Sequence, residues 1–175
     1  MKFKPYEQGS FSALCGIYSI INSVRIIKGL NNEESKDLFI KIVKYLEESK
    51  NIAEALTEGI NITVMGSIFK NVIEDNIKRS IPFHKDPIIK IGKFWNEMKK
   101  FTDENEAEGQ KRVILLALEG KHEHWSVTRE ITDKRIILFD SVGLKYLDKR
   151  NCTTKQTSSS KRHLIQPTQT YFLSN

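Results

Sequence analysis

Cys15, in the stretch YEQGSFSALCGIYSIINSVR, and His124, in HEHWSV, have the chemistry of a nucleophile and its base. A cysteine directly ahead of a helical run stands where unpaired N–H groups and the helix macrodipole favour a thiolate. To attack a carbonyl, that thiolate needs a base to share its proton and a carboxylate to hold the base's tautomer. Asp140, near the end of KRIILFDS, supplies the carboxylate. Gln8, seven residues before Cys15, carries an amide that can donate to an oxyanion together with the Cys15 N–H. Such a set performs acyl transfer.

Strand geometry decides whether His124 and Asp140 meet. The segments HWSVTREI and KRIILFDS flank Thr132 and Asp133. A hairpin turning there pairs residues whose numbers sum to about 265, which sets His124 opposite Asp140 or Ser141. Opposed Cβ atoms lie about 5 Å apart, within reach of a bond from imidazole to carboxylate. A slip of one residue sends one of the two side chains to the other face.

Each of these residues also has a plainer reading. Cys15 packs well as a small hydrophobe. His122 competes as base because residues i and i+2 share a strand face, although its place in the loop EGKHEH predicts a solvent-facing ring. Asp140 also suits the cap of a turn before Gly143. Trp125 faces away from His124 and reads as core, and Tyr18 as packing. Ser141 is either a support for Asp140 or an ordinary strand-end serine. Cys152, His84 and His163 have no partners that the sequence places, so they read as structural or surface residues.

The elements that must position these groups are helical first and β-rich second. Apolar residues at Ile17, Ile20, Ile21, Val24 and Ile27 give one buried helix face between Gly16 and Lys28, stopped by Gly29. A second helix is expected from an Asn32 cap to about Ser49, with Leu38, Phe39, Ile42, Val43 and Leu46 inward. A short helical turn follows in IAEALTEG, then a third helix from Ile62 to about Lys78. RSIPFHKDP reads as a short strand closed off by Pro87, and KIGKFWNEMKKF as one more helix. The acidic stretch from Thr102 to Gln110 reads as a surface loop. Then come RVILLALE, HWSVTREI, KRIILFDS, HLIQ and TYFLS, all strand-like. Helices followed by an antiparallel sheet is an α+β order, and 175 residues suit a single domain, helical over about 1–102 and sheet over about 111–175.

Composition narrows the function classes. Hydrophobic residues at 39% and charged ones at 29% fit neither a disordered chain nor a membrane protein. The start MKFKPYEQGS lacks an apolar run after its lysines, so no signal peptide is predicted and the cytoplasm is the expected compartment, with export lacking a classical signal as the alternative. The two cysteines have no zinc-ligand spacing, so each reads as a free thiol and no metal or cofactor is expected. The net charge of +6 is spread among interleaved acids, except in DKRNCTTKQTSSSKRH, residues 148–163. That basic stretch has no aromatic residue for base stacking and reads as a mobile loop, so a dedicated nucleic-acid site is not expected.

Around these residues the sequence resembles the papain-like cysteine peptidases. The resemblance rests on Gln8 upstream of CGIYSIIN, HEHWSV with His124 before Trp125, and LFDS with Asp140, in the family's order. It is nearest to the bacterial branch of bacteriocin-leader-processing (double-glycine) peptidases, whose third residue is an aspartate. The resemblance implies a helical lobe bearing the cysteine, an antiparallel sheet bearing the histidine, and an active site in the cleft between them. About 30 residues carry it. Gln8 stands one position further from the cysteine than in most papain-like enzymes, the cathepsin signature is absent, and no transporter segments follow. The expected activity is hydrolysis of peptide or isopeptide bonds in a protein or peptide substrate, through Cys15, His124 and Asp140, with no cofactor, nucleic acid or membrane partner. Two alternatives use the same residues: a glutamine deamidase or transglutaminase, and an inactive binding module.

Overall fold

Helix α1 (Cys15–Lys28) forms on the predicted pattern in the computed structural model, which describes residues 4–7, 13–73, 76–108 and 110–175. Its inward residues Ile17, Ile20, Ile21, Val24 and Ile27 are all buried. Gly29 ends the helix in a left-handed conformation (φ 75°), and its N–H donates to the Arg25 carbonyl. The next helix, α2 (Asn32–Glu48), is capped by Asn31, one residue earlier than expected. The reason is a reciprocal pair: Asn31 Oδ1 accepts from the Glu34 N–H at 3.0 Å, and the Glu34 carboxylate accepts from the Asn31 N–H at 2.7 Å.

The short helix α3 (Ile52–Thr57) precedes α4 (Ile62–Asn71), whose first N–H groups are satisfied by Asn61. Helix α4 stops at Asn71 and does not reach Lys78, because Lys78–Ser80 form strand β1. The Arg79 guanidinium there donates to the Phe69 carbonyl at 2.5 Å, occupying an acceptor that the end of α4 leaves open. Only this part of the RSIPFHKDP region is strand. Helix α5 (Ile91–Glu108) runs through the acidic stretch expected to be a loop. No Gly or Pro interrupts the sequence between Gly92 and Gly109, and two ion pairs, Lys99 with Asp103 and Arg112 with Glu104, offset the placing of acids near a helix C-terminus.

The remaining strands are β2 (Arg112–Gly120), β3 (His124–Ile131), β4 (Arg135–Phe139), β5 (Tyr146–Asp148), β6 (Cys152–Thr153), β7 (His163–Ile165) and β8 (Tyr171–Ser174). They order as β1-β8-β2-β3-β4-β5, antiparallel throughout. Strand β7 pairs with the C-terminal half of β2, and the short β6 joins β7 in parallel. The architecture is α+β, with an N-terminal helical region and a C-terminal, mainly antiparallel sheet.

Both faces of that sheet are covered. On β2, Val113, Leu115 and Ala117 join a core with α1, α2 and α4, whereas Ile114, Leu116 and Leu118 join a second core with Phe94, Trp95 and Met98 of α5. The unbroken apolar run ILLAL is what a strand buried on both sides requires. The basic stretch 148–163, expected to be a mobile loop, holds a 3-10 turn (Lys149–Asn151), strand β6 and the start of β7. Its anchor is Cys152, which is fully buried and donates from Sγ to the Asp148 carbonyl at 3.2 Å.

Candidate active site

Three contacts fix the start of α1 against the start of β3. The Ser19 hydroxyl donates to the Trp125 carbonyl at 2.9 Å, and the Trp125 indole N–H donates to the Ile60 carbonyl at 2.8 Å. At Gly16 a Cβ would fall 2.3 Å from Ile60 Cγ1 and 3.2 Å from Trp125 Cδ1, so only glycine lets the helix, the loop before α4 and the strand converge. Trp125 points away from His124 into the core, as alternation along the strand predicts. Cys15 is the first residue of α1, beside His124. Among the described residues no side chain caps this helix, and its first turn contains no acid.

The strand register places Asp140. The Thr132 N–H donates to the Arg135 carbonyl, so the hairpin turns on Asp133 and Lys134, one position later than expected. Near the turn the paired numbers sum to 267, as in Ile131 with Ile136. A bulge between Thr128 and Glu130 removes one, giving 266 for Val127 with Phe139. Continued one step, this register sets Ser126, not His124, opposite Asp140, with His124 the diagonal neighbour on the same face. Without the bulge, Asp140 would face the opposite side of the sheet from His124.

Asp140 therefore gathers four donors. His124 Nε2 lies 2.6 Å from Oδ2, and the Ser126 hydroxyl donates to the same oxygen at 2.7 Å. The Val142 and Leu144 N–H groups donate to Oδ1 at 2.9 Å each. The cap on the turn and the hold on the histidine, alternatives in the sequence, are served by the two oxygens of one carboxylate. Gly143 takes the left-handed conformation (φ 81°) that this turn requires. Ser141 is not the supporting serine: its hydroxyl is buried without a partner among the described residues. Ser126 fills that role, and its signal was present in the sequence as the His-x-Ser alternation that puts residues 124 and 126 on one face.

The electrostatics follow from these contacts. Burial alone would raise the Cys15 thiol, but hydrogen bonds with His124 and with the backbone at Trp125 and Gly16, together with the His124 charge, bring it below its ordinary value. Burial would lower His124, but the Asp140 and Cys15 bonds and charges outweigh it, and the imidazole is raised to about 9. Burial would raise Asp140, whereas its bonds to His124 and Ser126 hold it below the usual carboxylate range. With Nε2 committed to Asp140, the other ring nitrogen is left for Cys15. Both shifts run in the direction that favours a proton on His124 over one on Cys15, with the buried Asp140 carboxylate behind the imidazole.

A cleft of about 430 Å³ opens over the pair, lined by Cys15, residues 58–61 between α3 and α4, the end of β2, Glu123, His124 and Gln169. It thus lies between the helical region and the end of the sheet. Gln8 lies outside the described residues. His122 is not the solvent-facing ring expected: it is half-buried and stacks on His163, ring centres 5.3 Å apart and planes within 2°, which also gives His163 a partner. Tyr18 packs on Phe39. Cys152 is a free thiol pushed up to about 12 by burial, so it does not compete with Cys15. Among the described residues no three or more His, Cys, Asp or Glu side chains are grouped to hold a metal ion, and no helix is long and apolar enough to cross a membrane. No protein-family model matches the chain, and no curated protein matches it.

Proposed function

We propose that the protein is a cysteine peptidase of papain-like organisation that cleaves peptide or isopeptide bonds. The observation that supports this most strongly is the chain of contacts from Cys15 through His124 to Asp140, closed at its far end by Ser126 and two backbone amides. Cys15 Sγ attacks the carbonyl carbon, and the oxyanion that forms is met by N–H groups at the start of α1. The C–N bond then breaks as His124 passes its proton to the leaving amine, which leaves a thioester on Cys15. Water, deprotonated by His124, attacks the thioester; the C–S bond breaks, the acid departs and the thiolate–imidazolium pair is restored. Asp140 holds the tautomer and the imidazolium throughout without itself taking a proton.

A deamidase or transglutaminase shares the first half of this sequence, with ammonia as leaving group. Incubation with a peptide library and with whole denatured proteins, read by mass spectrometry, separates these outcomes. Wild type producing new termini that Cys15→Ala does not produce is the expected result. A gain of about one dalton on glutamine, a change fixed by replacing an amide with an acid, points to deamidation and overturns the peptidase reading. No Cys15-dependent change in either substrate set overturns the catalytic reading altogether.

A further inference from the structure

The basic stretch that the candidate active site leaves unused forms one wall of a second groove, at the opposite end of the β3–β4 hairpin. Its volume is about 820 Å³, and Lys134, Arg135, Lys149, Arg150 and Lys161 line it with only two acids, Asp133 and Asp148. Both acids are already engaged: Asp133 by Lys99 at 3.1 Å and Asp148 by Arg135 at 2.8 Å. An excess of positive charge therefore faces the groove.

The walls are built rather than loose. Trp95 of α5 donates its indole N–H to the Thr132 carbonyl, and the Lys149 N–H donates to the Lys134 carbonyl, both at 2.8 Å, so hairpin tip, helix and 3-10 turn are tied together. The Lys149 ammonium stands over the Trp95 ring, 5.3 Å from its centre, and Lys161 donates to the Cys152 carbonyl at 3.3 Å. Cations already ordered in this way lose less freedom when an anion arrives.

We propose that this groove binds an Asp/Glu-rich segment of a partner protein. A peptide's carboxylates can be spaced to avoid Asp133, whereas the continuous charge of a phosphate backbone would also meet it. Among the described residues no exposed ring lines the groove for base stacking, and Trp95 is fully buried beneath Lys149. Strand β3 spans about 25 Å at about 3.3 Å per residue, so the groove and Cys15 stand about that far apart. A bound partner could then present a scissile segment to the cleft across about eight extended residues. This presenting role rests on the peptidase reading; the binding itself does not.

The test uses the full chain carrying Cys15→Ala, so that catalysis plays no part, and fluorescence polarisation of a labelled oligo-glutamate peptide. Oligo-glutamine and oligo-thymidylate serve as comparison probes. The expected result is saturable binding of oligo-glutamate, absent for oligo-glutamine, weakening with added salt. It is expected to fall at least about tenfold in the double variant Lys134→Glu, Arg150→Glu, whose side chains are exposed. Absence of oligo-glutamate binding, equal binding by the double variant, or tighter binding of oligo-thymidylate overturns the proposal. None of these results bears on the Cys15 reading, and a failure of peptide cleavage leaves this binding test intact.

Discussion

Asp140→Asn asks why this site has an acid where an amide of the same shape would fit. Two donors converge on each carboxylate oxygen: His124 and Ser126 on one, the Val142 and Leu144 amides on the other. An asparagine side chain accepts at only one end, so in either orientation its NH₂ faces a donor pair. With the NH₂ toward His124, Nε2 can no longer hold a proton, and the imidazolium loses its support. The rise of His124 from an ordinary 6.5 to about 9 corresponds to about 3 kcal/mol of preference for imidazolium, shared between Asp140 and Cys15. Without Asp140 the thiol returns toward its ordinary range, and the thiolate fraction near neutral pH falls by roughly 10- to 30-fold. Iodoacetamide alkylation of Cys15 across pH, read by peptide mass spectrometry, reports that fraction. Buried Cys152 serves as the internal reporter of an intact fold, since exposing it would open it to alkylation. An Asp140→Asn protein that stays folded and alkylates with the wild-type pH profile would refute this account of the carboxylate.

Other perturbations follow from the same geometry. Ser126→Ala removes one of the four donors, a bond to a charged group worth about 1.5–3 kcal/mol; it is expected to let the Asp140 titration, followed by NMR, rise toward the usual carboxylate range without abolishing its pairing with His124. Gly16→Ala forces a methyl into Ile60 and is expected to cost about 1–3 kcal/mol, seen as a lower melting temperature together with slower Cys15 alkylation. The pH dependence of stability carries a definite sign. Because the folded His124 is raised, its protonated form contributes stability in full below about 6.5, and this is lost as pH rises through about 9. Denaturant melts of wild type and His124→Ala compared at about pH 6 and about pH 9.5 are expected to show the larger difference at the lower pH.

Much of this was legible in the residue pattern because the forces involved are local. The apolar period fixes α1, strand alternation turns Trp125 inward, and cysteine, histidine and aspartate have few other ways to combine. What escaped depends on single hydrogen bonds and on contacts distant in sequence. The later turn at Asp133–Lys134 moves the paired sum by two, which keeps every side chain on its face, and the bulge near Arg129 moves it by one, which brings Asp140 to the face of His124. Periodicity has no signal for either shift. The acids of 102–108 read as loop because their partners Lys99 and Arg112 lie outside that window. Strand β1 covers only Arg79 and Ser80 of the strand expected in RSIPFHKDP and takes Lys78 from the expected helix, bounds set by pairing with β8, which is distant in sequence. The stacking of His122 on His163 likewise joins residues that only the sheet brings together.

On the proposed mechanism, Cys15 rests as a thiolate paired with the His124 imidazolium. The ultraviolet absorbance of thiolate, taken as the difference between wild type and Cys15→Ser across pH, measures this directly, because Cys152, held at about 12, is silent over the working range. A paired thiolate gives a signal that appears at lower pH than an ordinary thiol, is not lost as His124 gives up its proton near 9, and requires His124 for its low onset. A signal that appears only near the ordinary thiol value of about 8.5, or one that is unchanged in His124→Ala, would contradict it.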